Sequence, residues 1–198
     1  MARPASAQLL YGLESPADFG ASGLVSFDVS NPSQFLSYGF LTGLGGFRIT
    51  SIEVYPQTDQ LYGLGINRST PDNISLFLIN PTTLVATPVG APLTVPLGMQ
   101  QRAGKCCLAF DPADGSARVT TAAGYNYRLD ATTGALLGTD TPLQYAATDG
   151  REGVAPVERV RAFAGGPVFG RSSWGTPEAG FADVVRPYQP GPGVYTYW

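Results

Sequence analysis

The tetrapeptide Leu10-Tyr11-Gly12-Leu13 returns as Leu61-Tyr62-Gly63-Leu64, 51 positions later. Each copy continues through a polar loop and an apolar run to an Asn-Pro pair. These pairs, Asn31-Pro32 and Asn80-Pro81, lie 49 positions apart. A degenerate third copy, FDPADGSARVTTAAGYNYRLDATTGALLG, starts at Phe110; its Asp130 falls 50 residues after Asn80, and LDATTGA echoes INPTTLVA. A weaker fourth combines PVFGRSS from Pro167 with FADVVRP from Phe181. Recurrence at about 50 residues is the mark of a repeat architecture, in which each unit buries its apolar face against its neighbours.

Inside a copy the apolar period is two, or the apolar residues form one short run, and never 3.6. Ile49, Ser51 and Glu53 alternate with Thr50, Ile52 and Val54, whereas SLFLINP is a compact apolar run. Turn residues separate these segments, at Pro56-Gln57-Thr58-Asp59 and at Asp111-Pro112-Ala113-Asp114-Gly115. The second copy therefore parses as four strands, Ile49–Tyr55, Gln60–Ile66, Ile74–Ile79 and Val85–Val89. The segment nearest to a helix, Val157–Ala164, fits a strand better. A four-stranded antiparallel unit repeated at this period describes a propeller blade. The expected fold is all-β: a β-propeller-like array of about four repeats in one domain over residues 9–198, after a tail at 1–8. The units fall near 9–45, 46–98, 105–145 and 157–198. The first lacks its leading strand, so closure of the ring is incomplete unless another strand supplies it. The alternating aromatics Tyr195, Tyr197 and Trp198 are the expected donor, either to the first unit or to a second chain. In the Tyr-Gly pair the aromatic is expected to pack between sheets, with the glycine letting backbones approach.

The segments GLVSFDVSNP, ITSIEVYPQTDQLYGLG, LINPTTLVATPVG, LAFDPADGSARVTTAAGYNYRLDATTGALLGTD and LQYAATD occur in an order that resembles one bacterial family, domain of unknown function 4394. The resemblance covers roughly Leu9 to Pro192 and is strongest in the third copy. It implies an exported, propeller-like protein and carries no catalytic residues. Members usually bear a signal peptide, which MARPASAQ does not resemble, and continue into a further copy.

Composition narrows the function classes. Charged residues are 14%, against about 25% in an average domain. The net charge is −3 with Lys105 the sole lysine, so no basic stripe recommends nucleic acid. No apolar run approaches the roughly 18 residues of a spanning helix, and no membrane insertion is expected. Low charge with abundant Gly, Pro and Thr favours an extracellular or periplasmic location.

The chain has no histidine. That removes the commonest general base and zinc ligand, and no cofactor is expected. GRSSWG at Gly170 misses the nucleophile elbow by one position, and GLGGF at Gly43 reads as a turn. Carboxylates remain: Asp111 with Asp114, and Asp149 with Glu152 in TDGREG, the latter a weak metal candidate. Asp111 is expected to cap its turn. Arg118 and Arg128, ten residues apart on consecutive strands, are read first as partners of a carboxylate such as Asp130 and second as ligand contacts. Tyr125 and Tyr127 alternate with Asn126 and Arg128, a pattern that serves inter-sheet packing or stacking on a sugar ring. The adjacent Cys106 and Cys107 are either reduced strand neighbours or a strained vicinal disulfide. The functional expectation is a non-enzymatic extracellular module for binding, adhesion or assembly, with a carbohydrate or protein ligand or self-association through its C-terminal strand. The alternative is a carboxylate-based glycosidase or lyase.

Overall fold

The computed structural model describes residues 9–14, 21–28, 31, 34–70, 72–98, 106–111, 114–121, 123–142, 158–161, 168–172 and 184–188. These residues are all-β, with no helix. The strands are β1 (Leu9–Glu14), β2 (Gly23–Asp28), β3 (Phe35–Phe40), β4 (Phe47–Tyr55), β5 (Gln60–Asn67), β6 (Asn73–Asn80) and β7 (Val85–Thr94). They continue as β8 (Cys106–Phe110), β9 (Ala117–Thr121), β10 (Asn126–Leu129), β11 (Leu136–Thr139), β12 (Glu158–Arg161), β13 (Val168–Ser172) and β14 (Val184–Tyr188). Every strand pairs antiparallel with its sequence neighbour inside its own sheet. The result is four open meanders, β1-β2-β3, β4-β5-β6-β7, β8-β9-β10-β11 and β12-β13-β14.

The strands of the second sheet lie where the alternation and the turn residues put them, longer by one to five residues at one end or both. The Val157–Ala164 segment contains strand β12. Residues 149, 152, 195, 197 and 198, the weak metal candidates and the aromatic tail, lie outside the described residues.

Two apolar layers flank the second sheet. On one side Tyr62, Leu64, Ile66, Ile74 and Leu76 pack against Leu108, Phe110, Val119, Tyr127 and Leu129 of the third sheet. On the other, Phe47, Ile49, Leu61, Phe77 and Ile79 pack with Leu24 and Leu41, and Tyr11 and Leu13 border them. Burial on both faces explains why β6 reads as a continuous apolar run rather than an alternation. Two serines bridge neighbouring sheets: Ile49 N–H donates to Ser22 Oγ at 3.0 Å, and Leu108 N–H to Ser51 Oγ at 3.1 Å. The leading strands β4 and β8 lie side by side, and β12 runs against β8.

The Tyr-Gly pair divides its work between the two layers. Tyr62 faces the third sheet, in ring contact with Tyr55 and Phe110 at centroid distances of 5.8 and 5.2 Å. Gly63 and Gly65 face the other way, and their role is to admit side chains rather than a second backbone. A Cβ on Gly63 would come within 2.8 Å of Ile79 Cδ1, and one on Gly65 within 2.5 Å of Phe77 Cε2. Gly12 makes the same kind of room for Val25.

The turns repeat as well. Asn80 Oδ1 accepts from the N–H groups of Thr82 and Thr83 at 2.9 and 3.0 Å, and Asp130 Oδ1 does the same for Thr132 and Thr133 at 2.8 Å each. Both turns close through an N–H to the carbonyl of that Asn or Asp, from Leu84 and from Gly134. Asparagine and aspartate are interchangeable here because the turn uses only one side-chain oxygen.

Candidate functional site

Antiparallel register sets Arg118 of β9 directly opposite Arg128 of β10. Facing like charges repel, so an arrangement of this kind needs counter-charge. Asp140 provides it from the end of β11: Oδ2 accepts from Arg118 Nη1 at 2.5 Å and Oδ1 from Arg128 Nε at 3.0 Å. Asp111, at the start of the β8–β9 turn, accepts from Arg118 Nε at 3.0 Å. Asp114 lies 3.9 Å from Arg128 Nη1. Arg118 and Asp111 are buried; Arg128 and Asp114 are substantially exposed.

The sequence expectation of structural pairing for the arginines holds, but the partner is different. Asp130 is committed to its own turn, where the Thr132 hydroxyl and the Thr133 and Thr132 amides hold its carboxyl down at about 2. Asp111, expected to cap its turn, closes it through its carbonyl, which takes the Gly115 N–H, and its carboxylate pairs with Arg118. Asp114 adds a side-chain acceptor in the same turn, its Oδ1 taking the Ser116 N–H at 2.8 Å. Burial pushes the Asp114 carboxyl up, but hydrogen bonding by Ser116 and the charges of Arg118 and Arg128 outweigh it, leaving it below the ordinary value. Charge-assisted hydrogen bonds through Nε and Nη1 of Arg118 and Nε of Arg128 thus clamp the sheet.

The two tyrosines belong to the inter-sheet layer. Tyr127 is buried, stacks on Tyr125 at 6.0 Å and 14°, and donates its hydroxyl to Pro96 O at 2.5 Å. Burial first, then Tyr125, Asp72 and Cys106, pushes the Tyr127 phenol up to about 12. Cys106 and Cys107 are both thiols, buried on β8. Burial, with Cys107 and Asp72 nearby, raises the Cys106 thiol to about 12, which keeps it protonated and unreactive at neutral pH.

None of these residues lines the larger of two openings among the described residues. That opening is a cleft of about 620 Å³ where the first and second sheets meet, walled by Tyr11, Asp59, Gln60, Asn80, Thr83 and Thr87 over an apolar floor. A smaller depression of about 200 Å³ lies where the second and third sheets meet, beside Tyr55, Gly115, Ser116, Asp130 and Thr132. Sequence reasoning passed over the cleft because its walls come from turns and from two different repeats. The available signal was the repeat itself, which brings Tyr11 against the second copy's Asn-Pro turn.

A family model described as Domain of unknown function (DUF4394) matches residues 23–164. The chain belongs to this family. No curated protein matches it. The DUF4394 match includes the whole arginine–aspartate clamp and every cleft residue except Tyr11. Within this DUF4394 chain no group of three or more potential metal-ligating side chains occurs among the described residues.

Proposed function

We propose that this DUF4394 chain is a β-propeller-like binding module that acts outside the cytoplasm and carries out no chemistry on its ligand. The propeller reading is supported by the meander order within each sheet, the side-by-side leading strands and the identical turns 50 residues apart. The functional reading rests on one observation. The cleft between the first and second sheets has a single carboxylate, Asp59, among its described lining residues, where hydrolysis of a glycosidic bond calls for two. The acids that sit close together, Asp111, Asp114 and Asp140, are tied to Arg118 and Arg128. Of these, Asp114 has its carboxyl held below the ordinary value, which makes it a poor general acid.

A role in assembly is the second part of the proposal, and strand β3 supports it. It forms one edge of its sheet and exposes Phe35, Leu36, Tyr38 and Phe40, an arrangement that soluble proteins usually cover. The test is prolonged incubation of the purified chain with neutral oligosaccharides, followed by reducing-end and mass analysis. Recovery of intact oligosaccharide is the expected result. Any turnover abolished by Asp59→Asn would replace the binding module with an enzyme.

A further inference from the structure

The cleft and the depression are the same place in successive repeats. Asp59 and Gly115 both take positive φ, 55° and 74°, and each closes its turn by donating its N–H to the residue four back, Tyr55 and Asp111. Asn80 and Asp130 are the matching acceptors of the neighbouring turn. The two openings therefore sit at equivalent junctions between sheets, and they differ in how far they are filled. At the second junction Gln57 Nε2 and the Tyr55 hydroxyl crowd to 2.6 and 2.7 Å of the point where a Gly115 Cβ would lie. Among the described residues the first junction holds the larger opening, about 620 Å³ against about 200 Å³.

Its walls carry a particular set of groups. The oxygens of both amides are occupied locally: Asn80 Oδ1 by Thr82 and Thr83, and Gln60 Oε1 by the Thr58 hydroxyl at 3.0 Å. That leaves their NH2 groups as donors. Asp59 supplies a charged acceptor, Thr83 and Thr87 supply hydroxyls, and Tyr11 adds an aromatic wall. Leu61, Leu78 and Ile79 contribute to the apolar floor. No lysine or arginine is among the described lining residues, so against these a phosphate, sulfate or uronate would meet the Asp59 charge without compensation. Alternating donors and acceptors above an apolar floor, with no cation, suit a ligand that is uncharged, carries many hydroxyls and has C–H faces.

The geometry points to the junction between the first and second sheets as the binding site for a neutral oligosaccharide. This inference rests on the binding-module reading and assigns it a place and a ligand class. Asn80→Asp separates the site from the fold. Asp130 shows that aspartate supports the same turn, so the variant keeps its fold while exchanging a donor for a negative charge. Asp59→Gly similarly keeps the positive φ and removes the carboxylate.

Isothermal titration of the intact chain and both variants with cellohexaose, maltohexaose and chitohexaose provides the test. Saturable binding of at least one sugar is expected, weakened on the order of tenfold or more by Asn80→Asp and also weakened by Asp59→Gly. Asp130→Asn, the reciprocal exchange at the closed junction, should leave the affinity unchanged. Binding that is equal in wild type and Asn80→Asp overturns the site while keeping a binding module. Absence of binding by all three sugars overturns the ligand class, again without touching the module reading. Release of shorter sugars overturns the module reading itself.

Discussion

Leu84 and Gly134 occupy one position of the repeat, 50 residues apart, both with a left-handed backbone at φ 59° and 69°. At Gly134 a Cβ would lie 2.0 Å from the carbonyl oxygen of Val89, so only glycine fits. At Leu84 the side chain fills the space beside Gly39 and borders the core, while its carbonyl accepts from the Thr42 N–H at 2.9 Å. Gly134→Ala should therefore destabilise the fold by about 2–3 kcal/mol. In Leu84→Gly, relief of left-handed strain and loss of packing offset each other to within about 1 kcal/mol. Urea titration of both variants measures the contrast.

The clamp predicts a second contrast, between two arginines that face each other. Arg118→Met leaves Asp111 buried without its ion-pair partner and should cost about 3–5 kcal/mol. Arg128 is 36% exposed, so Arg128→Met should cost less than about 1 kcal/mol. Equal losses in denaturant titration would show that burial does not set the strength of this network.

Thiol accessibility offers a third check. Cys106 and Cys107 are 1% and 6% exposed. Neither should react with an aromatic disulfide reagent at pH 7.5 in the native state, and two thiols per chain should react in guanidinium. Prompt native-state reaction would contradict the placement of β8 in the core.

Acid stability gives a fourth. The Asp130 carboxyl is lowered from 3.8 to about 2. A depressed carboxyl favours folding at pH values above 3.8, and that contribution fades as the pH falls through the folded-state value near 2. Asp130→Asn retains the turn oxygen and removes the titration. The melting temperature of the variant should fall less steeply than that of wild type between pH 4 and pH 2, while the two curves run parallel above pH 5. The effect is small because the group is exposed to solvent.

The strands were legible because their causes are local. Ile49 to Tyr55 alternates, Ser75 to Ile79 is a continuous run, and the turn residues between them act through their own dihedrals. The repeat also gave away the turn at Asp130, since its bonding copies that of Asn80. The identity of the arginine partner was not legible. Asp130 is closer in sequence to Arg128 than Asp140 is, but β11 has to fold back before Asp140 meets both guanidiniums. The function of Gly63 was half legible: the need for space was evident, whereas the side chains filling it come from β4 and β6. The cleft was least legible, because no single segment contains it.

The second sheet is oily on both of its sides, and this restricts how such a chain can change over generations. Loss of part of a unit would leave Phe77 or Tyr62 bare to water, so lineages should gain and lose this module in whole copies. Each copy gained would insert one more junction between sheets.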